Sequence, residues 1–131
     1  MTHKQLTLYS PVVLRLGLVA VVIWFGVSQL MNSAQWVGVV PVWAKSLSGM
    51  SALSIIRFNG CFEILTGALL AIGLWTRWVA LALAVHLFII ATGFGISPIG
   101  VRDFGLSVSL LAVAMFGSDV CSFEHVHEDS K

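Results

Sequence analysis

The sequence predicts an all-α fold, an integral membrane antiparallel four-helix transmembrane bundle with a short interfacial segment between helices 1 and 2. Composition is the first reason. Hydrophobic residues make up 58% of the 131 residues and charged residues only 10%, a balance that soluble domains do not have. The second is length: four mostly apolar runs approach the about 20 residues a spanning helix needs. They cover Pro11 to Met31, Leu53 to Leu74, Trp78 to Ile96 and Phe104 to Val120. The third is the Trp75-Thr76-Arg77-Trp78 turn, short enough to force an antiparallel hairpin. A net charge of +1 with no cluster of lysines and arginines excludes nucleic acid as a partner.

Taken in order, the first run opens with Pro11, expected in the first helical turn, where its missing N–H costs nothing. The N-terminus resembles a signal peptide only superficially: the run is too long, contains Arg15 and lacks an A-x-A site, so it reads as a retained first span. Arg15 lies one turn in, able to extend toward headgroups or to reach an acid. From Asn32 to Ala52 the chain is too polar to span and too apolar for a free linker. Trp36 and Trp43, seven apart, predict a segment lying in the interface and capping the bundle; a partner-binding ledge is the alternative.

The second run carries the anomaly of the sequence. Glu63 sits in an apolar helix, where a carboxylate costs about 2.5 to 3.5 kcal/mol on insertion scales. It must therefore face protein. Asn59, Glu63 and Gly67, spaced by four, share one stripe expected to face the bundle. In the third run His86 lies nine residues beyond Arg77 and Glu63 fourteen before it, a depth difference of about 7 Å at 1.5 Å per residue, so the two are expected to approach. Ala80, Ala84 and Ala91 have close-packing spacings. Arg102 and Asp103 are expected to open the fourth helix, Asp103 complementing its dipole, and Gly105, Ser109 and Ala112 to form its packing face.

Residues 1–121 form the transmembrane domain in this reading, and 122–131 a polar, disordered tail. His125-Val-His127 beside acids reads as a solvated end, because ordering a flexible segment around a metal is costly; no metal site is expected. Cys61 and Cys121, sixty residues apart, read as unpaired thiols.

Several pieces together resemble the DoxX family of small four-helix bacterial membrane proteins. They are Arg15 with Gly17 and Gly26, then Gly60-Cys-Phe-Glu63-Ile-Leu-Thr-Gly67 through Gly73-Leu-Trp-Thr-Arg77, then Arg102-Asp103-Phe-Gly-Leu106 and Gly117. The resemblance covers nearly the whole chain. It implies a compact antiparallel bundle in the bacterial cytoplasmic membrane with cytoplasmic termini. In some members it also implies association with quinone-linked oxidoreductases, including the thiosulfate:quinone type and a thiol-stress complex. Gln29 stands where many relatives place a lysine, and His86 is not part of the resemblance.

The candidate intramembrane polar site is therefore Arg15, Asn59, Glu63 and His86, with Arg57, Arg102 and Asp103 as charges at the outer end. In one reading these residues bind a quinone headgroup and relay the protons of its reduction. In the other they are a buried structural network in which Asn59, Arg15 or Arg57 satisfies Glu63. The sequence has no C-x-x-C-H, iron–sulfur spacing or dinucleotide fingerprint, so no intrinsic cofactor is expected and electrons would come from another subunit. Expected partners are the lipid bilayer and an oxidoreductase subunit or a second copy of the chain. An assembly protein with no redox role and a small-solute transporter are the other two function classes.

Overall fold

The computed structural model describes residues 1–128, with the side chains of His127 and Glu128 outside the description. Among the described residues seven α-helices follow one another: α1 (His3–Met31), α2 (Ser33–Trp36), α3 (Val42–Ser48), α4 (Ala52–Ile72), α5 (Thr76–Phe94), α6 (Pro98–Phe116) and α7 (Phe123–Glu128). Four of them, α1, α4, α5 and α6, are long and apolar enough to cross a membrane. The N-terminus, the last described residues and the α4–α5 turn lie at one end of the bundle, the terminal end. The opposite, loop end carries α2, α3 and the α5–α6 turn.

Local chemistry moves several expected boundaries. α1 begins well before Pro11, because Thr2 and Gln5 cap it reciprocally in a capping box. Pro11 is thus inside the helix and not in its first turn. The Thr7 carbonyl, which Pro11 has no N–H to meet, accepts from Ser10 Oγ at 3.1 Å. α6 likewise starts before the expected Phe104: Ser97 Oγ accepts from Gly100 N–H at 3.0 Å and Pro98 occupies the first turn. Asp103 therefore lies beyond the first turn, and its carboxylate is engaged by Arg102 at 2.7 Å.

Two intimate pairs, α1 with α4 and α5 with α6, build the bundle. In the first pair the backbones nearly touch. A Cβ on Gly60 would lie 2.8 Å from the Gly26 carbonyl oxygen, and one on Gly67 would lie 2.7 Å from Ile23. In the second pair Ser107 Oγ donates to the Ala84 carbonyl at 2.7 Å, and Gly100 packs against the Gly95 carbonyl. The packed face of α6 is accordingly Gly100, Asp103, Ser107, Leu110 and Ala114. Gly105 has open space where a Cβ would be, and Ala112 is exposed; the small residues expected to pack lie where no backbone approaches. Leu70, Leu83 and Leu110 are fully buried where the pairs meet.

At the terminal end α4 stops in a Schellman motif, with Gly73 N–H bonded to Leu70 O and Leu74 N–H to Leu69 O. Gly73 has φ +71°, and a Cβ there would collide with Ser122. Here the structure departs from an unpacked tail. Ser122 is buried, its Oγ donates to the Asp119 carbonyl at 2.7 Å, and Phe123–Glu128 is helical. Glu124 accepts from the Thr76 N–H at 3.2 Å. That contact gives α5 the acidic partner its own N-cap, Trp75, does not provide. The remainder of the expected tail, 129–131, lies outside the described residues.

Candidate functional site

The close α1–α4 crossing at Gly26 and Gly60 sets Gln29, one turn beyond Gly26, level with Asn59 and Glu63. The three side chains then close into a network. Gln29 Nε2 donates to Glu63 Oε2 at 3.0 Å, and Asn59 Nδ2 donates to Gln29 Oε1 at 2.7 Å and to Glu63 Oε1 at 3.2 Å. Glu63 is 3% exposed, and both its oxygens are met by amide N–H groups, as a buried carboxylate requires. Ser33 Oγ donates to the Gln29 carbonyl at 2.6 Å, which ties the network to α2.

His86 completes the approach that the depth count anticipates. Its Nε2 is 4.0 Å from Glu63 Oε1, too far for a hydrogen bond. The true pivot is the turn at Gly73–Trp75 rather than Arg77. Counted from there, Glu63 and His86 are equally deep. The His86 ring leans on Phe62, with ring centroids 4.7 Å apart. Its Nε2 is buried with no hydrogen-bond partner among the described residues.

These groups line a cavity of about 270 Å³ at the loop end. Arg102 and Asp103, expected as charges at the outer end, line it too. Asp103 is buried, and the Arg102 guanidinium lies 4.1 Å above the Phe25 ring, a cation–π contact that closes α6 onto α1. The roof is the interfacial segment. Trp36 Nε1 donates to Ser28 Oγ at 3.3 Å and its ring meets Phe25 edge-on at 5.9 Å. Pro41 and Trp43 settle on α5 at Gly93, where a Cβ would lie 3.2 Å from Pro41 Cγ. Trp36 and Trp43 both line the cavity.

Two of the candidate residues stand elsewhere. Arg15 is at the terminal end, 1% exposed, far from Glu63 along the bundle. Its Nε and Nη2 bind both oxygens of Asp119 at 2.7 and 3.1 Å, and Nη1 donates to the carbonyls of Leu70 and Ala71. These carbonyls belong to the last turn of α4, the negative end of its dipole. Arg57 is exposed on α4, and among the described residues neither arginine meets Glu63.

Asp119, the partner of Arg15, is one residue that reading the sequence missed, and Gln29, noted there only as standing in place of a lysine, was not expected to meet Glu63. Gln29 carries no charge to mark it as a carboxylate's partner. Asp119 falls at the very end of the run read as the fourth span, Phe104 to Val120, yet it shares Arg15's end of a four-span chain, and a buried arginine needs an acid on its own side. Gln29 also shows what a lysine there would change: the amide accepts from Asn59 while donating to Glu63, whereas an ammonium only donates.

Comparison with curated proteins and with solved structures returns no match. A family model described as DoxX matches residues 10–95, a stretch running from the first turns before Arg15 through Glu63 and His86 to the end of α5. The chain is a multi-pass membrane protein of the DoxX family.

Proposed function

We propose that the cavity at Glu63 and His86 receives the ring of a quinone, and that the protein is an accessory subunit of a quinone-linked membrane oxidoreductase. The observation that carries the reading is the His86 Nε2, buried at the cavity wall beside Glu63 and without a hydrogen-bond partner among the described residues. A buried imidazole nitrogen left unmade is costly, and a quinone carbonyl oxygen accepts the bond that an Nε2–H offers. The surroundings agree in kind: a mostly apolar site with a few convergent polar groups is the usual form of a small-molecule pocket. Phe25, Trp36 and Trp43 supply aromatic faces for a planar ring.

In this role the protein binds and positions the quinone, and His86 and Glu63 handle the protons that accompany its two-electron reduction. The electrons come from a partner subunit. The membrane is the bacterial cytoplasmic membrane, with both termini on the cytoplasmic side. Titrating the purified protein with an alkyl-tailed benzoquinone tests the reading, because Trp36 and Trp43 report on the cavity by fluorescence quenching. Saturable quenching, weakened tenfold or more in His86→Leu, is the expected result. Quenching that is linear in quinone, and equal in the variant, contradicts it.

The assembly reading draws on a different observation. The Gln29–Asn59–Glu63 network is already complete without a ligand, as a structural tie between α1 and α4 would be. A membrane protein co-purifying in stoichiometric amount, with no quinone in the extract, favours that reading.

A further inference from the structure

We propose that the cavity is entered sideways from the lipid, between α4 and α5, by an amphiphile. Its polar end meets Glu63 and His86, and its apolar tail remains in the bilayer. The proposal rests on the reading of the cavity as a ligand site and adds the route and the class of the occupant.

The walls leave that flank open. α1 and α4 are sealed by the contact of Gly26 with Gly60, and α1 and α6 by Arg102 over Phe25. Toward water the segment 39–44 covers the cavity, with Val40 buried and Pro41 and Trp43 seated on Gly93, the outer side of Trp43 being 44% exposed. Between α4 and α5 His86 lines the cavity, its ring tilted against Phe62 with centroids 4.7 Å apart. One and two turns toward the loop end on α4 come Phe58 and Ile55, and one turn along on α5 come Ile89 and Ile90, all lining the cavity. Phe58 is nevertheless 66% exposed and Ile89 47%. On a spanning helix, a side chain that both lines the cavity and is open to the outside marks a mouth toward lipid. Both residues lie within membrane-spanning helices, so what they face outside is lipid.

The mouth selects by chemistry. Ile55, Phe58, Ile89 and Ile90 offer no polar atom to a solute that must shed its water to pass, while a molecule already dissolved in lipid sheds none. A volume of about 270 Å³ is just below the range of ligand pockets, about 300 to 1,000 Å³. It holds a headgroup or ring, and the tail must leave past Phe58 and Ile89.

Photolabelling in phosphatidylcholine nanodiscs tests the route. The probe is an aryl diazirine on an alkyl chain, dissolved in the lipid and mapped by peptide mass spectrometry. Expected is a label on Glu63 or His86 in the wild type, reduced several-fold in Ile89→Trp and in Phe58→Trp, with labelling at lipid-facing Leu65 unchanged as the check on folding. No label at Glu63 or His86 from the lipid, or labelling indifferent to both tryptophans, overturns the portal. Competition by a tailed benzoquinone identifies the occupant as a quinone. A blocked portal without such competition keeps the lateral route, identifies the occupant as a bilayer lipid and removes the quinone reading alone.

Discussion

Buried ionisable groups in this bundle are met in two different ways, and the difference separates a structural clasp from the proposed site. Arg15 and Asp119 are fully engaged, the guanidinium by two carboxylate oxygens and two helix-end carbonyls. Breaking such a pair from one side leaves a buried charge, at about 3 to 5 kcal/mol. Arg15→Met should therefore lower thermal stability sharply in detergent, and Arg15→Met with Asp119→Leu should recover much of the loss; a double variant no better than the single one would contradict the pairing. At the loop end His86 keeps a nitrogen with no hydrogen-bond partner among the described residues, which is why the proposed ligand is placed there. Glu63 was legible as the residue to explain, since a lone carboxylate in an apolar run has to face protein. Of its partners Asn59 was legible, one turn away on the same stripe, but Gln29 was not, because it satisfies Glu63 with a neutral amide while the ionisable residues that drew attention, Arg15 and Arg57, point to other places.

At the scale of the helices, glycine decides where side chains meet. The Gly26–Gly60 contact brings Gln29 to Glu63, and a methyl at Gly60 meets a backbone oxygen that cannot yield. Gly60→Ala should cost about 1 to 3 kcal/mol through overpacking and weaken quinone binding with it. Gly17→Ala, with nothing within 4 Å of the added carbon, should be neutral or slightly stabilising; equal losses in the two melting curves would contradict a special role for the crossing. The four helices were legible from length and apolarity. Their starts were less so, since Thr2 with Gln5 and Ser97 with Pro98 are short capping signals that a hydropathy window overruns. The packing face of α6 was misjudged for a related reason: small residues at 105, 109 and 112 have the right spacing, but Ser107 has the hydrogen bond.

Across the whole molecule the two ends have separate duties, a clasp at the terminal end and a cavity at the loop end, joined by two tightly paired hairpins of helix. The free cysteines report the arrangement, with Cys61 on the outer surface of α4 and Cys121 exposed beyond α6. With cytoplasmic termini, a membrane-impermeant maleimide should label Cys121 in inside-out vesicles and not in right-side-out ones, and should leave Cys61, at lipid depth, unlabelled in both; the reverse pattern at Cys121 would invert the orientation. The most direct test of the site is the quinone content of the protein extracted in mild detergent from its native membrane, beside Glu63→Gln and His86→Leu variants of verified fold. Close to one quinone per chain in the wild type, and several-fold less in both variants, is the expected result. A wild-type extract free of quinone, or variants that retain it fully, would contradict a quinone site at Glu63 and His86.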